Sequence, residues 1–248
     1  MQASPGSDPV PDADAAAVAG EPLPSDRVAL DRDRILSAAL THIDEQGLAG
    51  LTMRRLGQRV GVEAMSLYRY VPGKEELLDG VVELLLGDLR ADPDVLHSPT
   101  HGWQDFLQRL AHGVRRMALA HPKAFPLVAS RPPEAPWLRP PLRSLEWVDA
   151  FLAGLVEEGF TDAAAVAAYR SFTSFLLGTL LLEVAAHGAD VGPLDVLDDD
   201  RPDDERASRH ETVWRLRHDL AQDTSAAEFE VALESLLERL QLVRTELG

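Results

Sequence analysis

Leu51-Thr52-Met53-Arg54-Arg55-Leu56, then Gly61-Val62, then Ser66-Leu67-Tyr68-Arg69-Tyr70-Val71-Pro72-Gly73-Lys74 is the stretch that decides how this chain reads. Thr52 can cap a helix that buries Met53, Leu56 and Val60 and stops at Gly61. A second short helix, from about Glu63 to Tyr70, turns Leu67 inward before Pro72-Gly73 breaks the chain. The positions left outside are mostly cationic or phenolic. Two short helices on a tight turn with such a surface fit a helix-turn-helix across a DNA backbone, its second helix in the major groove.

Charge isolates the same stretch. Between Thr52 and Lys74 the cations Arg54, Arg55, Arg59, Arg69 and Lys74 oppose one acid, Glu63, a net of +4. The whole chain carries −17, so the remainder carries −21. Attraction to a polyanion is thereby confined to one face, which disfavours indiscriminate nucleic-acid binding.

With 248 residues, 45% of them hydrophobic, the chain can bury a sizeable core. It has no cysteine, which excludes a disulfide framework and thiolate chemistry. The longest uncharged apolar run, Ser171 to Leu182, is short for a bilayer and reads as a buried helix. The N-terminus lacks the basic start and apolar stretch of a secretory signal. A cytoplasmic protein without a membrane partner is expected.

Residues 1–29 are rich in proline and acids and read as a disordered tail. Helical spacing of apolar residues predicts helices over Asp31–Gln46, Lys74–Leu89, Trp103–Ala120, Leu142–Glu158, Asp162–Ala186 and Ala226–Leu247. The proline-rich stretch from Pro122 to Pro141 leaves room only for short helical pieces. Residues 188–209, with Asp198-Asp199-Asp200 and Asp203-Asp204-Glu205, read as a solvated acidic loop. No segment alternates as a strand should. The expected fold is all-α: an N-terminal three-helix helix-turn-helix domain over 30–90, and a larger helical domain for ligand binding and dimerisation over 91–248.

From Leu30 to about Leu86 the pattern "ILSAAL…GLAGLTMRRLGQRVGVEAMSLYRYVPGKEELLDGV" resembles the DNA-binding domain of TetR-family transcriptional regulators. Beyond it, Trp103-Gln104-Asp105-Phe106-Leu107, Arg131-Pro132-Pro133-Glu134, Gly159-Phe160 and Leu177-Gly178 resemble, in order, the ligand-binding domain of tetracycline repressors. The resemblance implies that Arg54 reaches a base edge, where an arginine can grip guanine bidentately. Ala64 and Met65 fall where family members read bases, but offer only apolar contacts here. Thr52, Ser66, Tyr68, Tyr70 and Lys74 match positions that hold phosphates. Met53, Arg55 and Arg69 complete the candidate interface. Gly57 replaces the usual alanine, at roughly 1 kcal/mol of helix propensity. Packing is the competing reading for Tyr68 and Tyr70, and a solvated face for Arg55 and Arg59.

The resemblance also places a ligand pocket in the second domain. Candidate lining residues are Trp103, Leu110, Val114, Arg131, Phe172, Phe175 and Glu183. Core packing competes at each except Arg131, for which a surface or loop-anchoring role is the competing reading. Tetracycline repressors carry a metal-coordinating histidine shortly before their Arg-Pro pair. Here Phe125-Pro126-Leu127-Val128-Ala129-Ser130 has none, so the resemblance implies a different, largely apolar ligand.

No G-x-S-x-G, phosphate loop or H-E-x-x-H occurs, and His97 and His101 lie in a proline-bounded connection rather than on a helix face. Neither enzymatic activity, nor a metal site, nor a cofactor is expected. The expectation is a homodimeric repressor, released from a near-palindromic double-stranded DNA operator by a small-molecule effector. The competing reading is a small-molecule carrier with a vestigial reading head.

Overall fold

A computed structural model describes residues 30–132, 134–140, 144–190 and 208–246. The tail over 1–29 and most of the acidic loop lie outside the described residues. Among those described there is no strand, and the architecture is helical as expected.

The first helix, α1 (Arg32–Gln46), starts where the Asp31 carboxylate accepts from Arg34 N at 2.7 Å. It buries Ile35, Leu36, Ala39, Leu40 and Ile43 and ends at Gly47, whose φ of 76° suits glycine. α2 (Met53–Val60) is capped by Thr52 Oγ1, which accepts from Arg55 N at 3.2 Å, and closes on Gly61 in the left-handed region. α3 (Ala64–Leu67) is shorter than the expected helix over 63–70. Pro72 pushes Val71 out of the helical region. Tyr70 N and Val71 N therefore both close on Leu67 O, at 2.9 Å each, in a tightened last turn.

Gly57 has a packing reason that propensity alone does not reveal. A Cβ there would lie 2.8 Å from Val62 O and 3.1 Å from Ala64 N. The missing side chain lets α2 approach the start of α3, and an alanine would push the two helices apart.

α4 (Lys74–Ala91) buries Leu77, Leu78, Val81, Val82, Leu85 and Leu89. It packs on α1 on one side and on α5 (Trp103–Ala120) and α6 (Pro126–Ser130) on the other. α7 (Leu145–Glu157), capped by Ser144, lies on α8 (Asp162–Ala186), capped by Thr161. α8 in turn packs on α5 and on the last helix, α10 (Ser225–Glu246). Taken whole, α8 is long and apolar enough to cross a membrane, a property its uncharged core alone did not suggest. It nevertheless buries Tyr169, Phe172, Leu176 and Leu180, and also Glu183, against neighbouring helices.

Helix α9 (Glu211–Leu220) has no counterpart among the expected helices. None of its residues is buried, although Val213, Leu216 and Leu220 recur at helical spacing. Within it the Arg217 guanidinium lies 4.3 Å from the centre of the Trp214 ring.

Candidate nucleic-acid interface and ligand cavity

The reading head gathers its candidate contacts onto α2, α3 and the first residue of α4. Thr52, Arg54, Arg55, Arg69 and Lys74 are exposed, and Met53, Ala64 and Ser66 are half-buried. Met65 is 73% exposed, an unbranched apolar side chain standing in solvent at the start of the recognition helix. Tyr68 and Tyr70 are 42% and 41% exposed, so neither is a core residue.

Hydrogen bonding separates the five cations. Arg59 is fixed to Glu45 of α1 through two bonds of 2.7 and 2.8 Å. That guanidinium holds the Glu45 carboxyl below its usual range. Arg55 Nη1 donates to Gly50 O at 3.0 Å. Arg54, Arg69 and Lys74 have no ion pair among the described residues. Three unneutralised cations thus stand around the recognition helix, an arrangement suited to contacts with phosphates and base edges.

A partly open cavity of about 100 Å³ lies between α4, α5, α6, α7 and α8. Leu110, Val114 and Phe172 line it. The other candidates lie elsewhere. Trp103 is buried against Phe160, their rings edge to face with centroids 5.2 Å apart. Arg131 binds α4 instead, donating to Asp79 at 2.7 Å and to Glu75 at 2.8 Å, and so acts as the loop anchor. Phe175 stacks on Phe229 of α10. Glu183 is tied to Arg115 of α5, whose Nε donates to it at 3.1 Å.

Several wall residues went unread in the sequence. Val82, Leu86 and Leu89 come from α4, and Trp147, Phe151 and Thr173 from α7 and α8. Their only signal was an apolar helical stripe, and a cavity wall shares that stripe with a filled core. Among the described residues no group of three or more His, Asp or Glu is placed to hold a metal ion.

Two contacts tie the reading head to the second helical layer. His121, at the end of α5, meets Asp44 of α1 at 2.8 Å, and Lys123 Nζ donates to Glu45 O at 3.1 Å. The other Asp44 oxygen is buried without a partner. The hydrogen bond to Asp44, aided by the charges of Asp44 and Asp88 and opposed by burial, raises the His121 pKa above the ordinary 6.5. A raised folded-state pKa contributes stability that is complete below the unfolded value and fades as pH rises through the folded one. Thermal midpoints measured from pH 5.5 to 8.5 should therefore fall at the alkaline end, and H121N should flatten that part of the profile. Parallel profiles for the two proteins would show that the pair does not titrate in this window.

The family description "Bacterial regulatory proteins, tetR family" matches residues 35–81, and "Tetracyclin repressor-like, C-terminal domain" matches residues 97–243, more than half of the chain. The chain belongs to the TetR family. A class E tetracycline repressor of Escherichia coli is 33% identical over 158 residues, 64% of this chain and 71% of that protein. A class G tetracycline repressor of Vibrio anguillarum is 26% identical over 87% of this chain and 95% of its own length. A crystal structure of a possible TetR family regulator from Streptomyces coelicolor A3(2) superposes with a TM-score of 0.67. It is 32% identical, and the match covers 86% of this chain and all of that one. This TetR-family chain is a ligand-responsive, DNA-binding transcriptional regulator. A carrier with a vestigial reading head is not favoured, since Arg54, Arg69 and Lys74 stay exposed and without an ion pair among the described residues.

Proposed function

We propose that the protein is a cytoplasmic, homodimeric repressor that lets go of a near-palindromic operator when a small, largely apolar molecule enters the cavity. In this reading residues 30–90 bind DNA, residues 91–248 bind the effector and the second subunit, and no substrate is turned over. The carrying observation is that α4 belongs to both parts. Lys74 opens it among the candidate DNA contacts, and Val82, Leu86 and Leu89 further along form cavity wall.

Cavity size supports the coupling. Sites for drug-sized ligands span roughly 300–1,000 Å³, against about 100 Å³ here. A larger effector must push the walls outward, and α4 is one of them. Coupling of about 1–3 kcal/mol, typical of such pairs of sites, changes affinity roughly 5–150-fold.

The dimer is argued from the outer faces of α8 and α10. Leu182 is 76% exposed, and Val231 and Leu242 are also open to solvent, a large apolar exposure for helices that pack on each other. A two-fold pairing there would set two recognition helices in successive major grooves, about 34–36 Å apart.

The decisive experiment is binding of the purified protein to labelled DNA from beside its own gene, at two salt concentrations, with random duplex as control. A preference of roughly 10³-fold or more that survives about 150 mM salt is expected. Equal, salt-labile binding to both duplexes would count against an operator at that locus. Absence of binding even at low salt would remove the repressor reading altogether.

A further inference from the structure

Among the residues that line the cavity, one side-chain polar atom is buried without a partner, just behind the wall. The lining is otherwise aliphatic and aromatic and contains no acid, lysine, arginine or histidine. Of its few polar groups, Ser144 Oγ accepts from Trp147 N at 3.4 Å and is occupied in capping α7. The Tyr169 hydroxyl donates to Pro140 O at 2.8 Å and is also hydrogen-bonded by Thr173. Burial pushes the Tyr169 phenol up to about 12, so it stays neutral. Trp147 Nε1 differs from these: it is buried and has no hydrogen-bond partner.

The indole is also held in place from outside. The Arg90 guanidinium carbon lies 5.7 Å from the ring centroid, and the His97 ring lies against it, tilted by 43° with centroids 5.7 Å apart. Arg90 is itself fixed to Glu146, one residue before the tryptophan, at 2.9 Å. An indole N–H is a donor only, and a buried donor left unsatisfied is a standing cost that an incoming acceptor removes.

We infer that the effector is a neutral, mainly apolar molecule bearing one hydrogen-bond acceptor oxygen, a ketone or similar group, which takes the Trp147 indole N–H. The inference rests on the cavity being the effector site, and it adds a chemical class and a specificity-determining residue to that reading. An ionised ligand would enter without a counter-charge and is rejected. A pure hydrocarbon of the same shape enters but leaves the donor unpaired.

The test uses three compact probes of one shape: 1-indanone, indane and indane-1-carboxylate. Nitrogen-15 spectra of the whole protein give indole N–H signals for its four tryptophans, and W147F identifies the Trp147 signal by its loss. The expected result is that indanone binds wild type roughly tenfold or more tightly than indane, moves the Trp147 indole proton downfield, and outcompetes the carboxylate. W147F should bind the two neutral probes alike. Equal affinity of indanone and indane for wild type, or a preference that survives in W147F, would overturn the role of Trp147 while leaving the cavity as the ligand site. If no probe perturbs any cavity resonance, the cavity reading itself fails. The downfield shift is read on wild-type protein, where magnetisation transfer from the adjacent His97 ring also assigns the Trp147 indole signal, so the test stands even if W147F folds poorly.

Discussion

Arg54→Ala should abolish operator preference while leaving the protein folded. Arg54 is exposed in the first turn of α2 and makes no ion pair among the described residues. Its removal therefore strands no buried charge, and the melting curve should be unchanged. Its position is set by the Thr52 cap, which fixes where α2 begins relative to the turn at Gly61. A bidentate arginine–guanine contact is worth about 1–3 kcal/mol of discrimination. Two half-sites in a dimer double that to about 2–6 kcal/mol, a factor of roughly 30 to 10⁴ in affinity. Binding to random duplex should change far less, because Arg54 is placed at a base edge rather than at a phosphate. Lys74→Ala is the contrasting variant. It should weaken every duplex alike and reduce the salt slope by about one per subunit. Wild-type operator affinity in Arg54→Ala would show that the base-reading contact lies elsewhere, with Met65 the next residue to examine.

The helices that were legible in the sequence are those whose boundaries have local causes. Thr52 and Gly61 bracket α2, and Thr161 opens an apolar run that continues to Ala186. α9 stayed hidden because its apolar stripe, Val213, Leu216 and Leu220, spans only ten residues, and the structure buries none of it. Gly57 shows a subtler failure. Its cost as a helix former is visible in one residue, but its benefit depends on the backbone of Val62 and Ala64 arriving beside it.

The reading head was legible for the same local reason, being a contiguous stretch whose exposed residues follow from two short helices. The cavity was not, because its wall is assembled from five helices separated by up to about a hundred residues. Nothing in the spacing of Phe172 and Phe175 says which faces the cavity and which faces Phe229. Arg131 likewise needed the fold to show that its partners are Glu75 and Asp79, more than 50 residues earlier. That pair has a functional consequence. It clamps the end of α6, next to the cavity residue Val128, onto the first turns of α4. Under the proposed function, this clamp is the route by which a displacement of the α6 wall would reach the end of α4 nearest the reading head.

Glu183→Ala should be among the most destabilising single substitutions in the chain. The Glu183 side chain is only 4% exposed and that of Arg115 19%. The guanidinium spans the carboxylate of α8 and the Phe229 ring of α10, 5.3 Å away. Taking away the acid leaves a largely buried cation with no carboxylate of comparable geometry. Breaking such a pair costs about 3–5 kcal/mol. For a chain of this size that lowers the melting temperature by roughly 6–20 °C. Replacing both partners by apolar residues, as in Arg115→Met with Glu183→Leu, should recover most of the loss, because neither charge then needs solvation. The comparison also separates two roles for this acid. A residue that contacts effector would alter ligand affinity with stability intact. Glu183 as a strut between α5 and α8 predicts the reverse: lowered stability, and near-normal effector affinity in whatever fraction stays folded. A Glu183→Ala protein that melts like wild type but no longer responds to ligand would return Glu183 to the binding site.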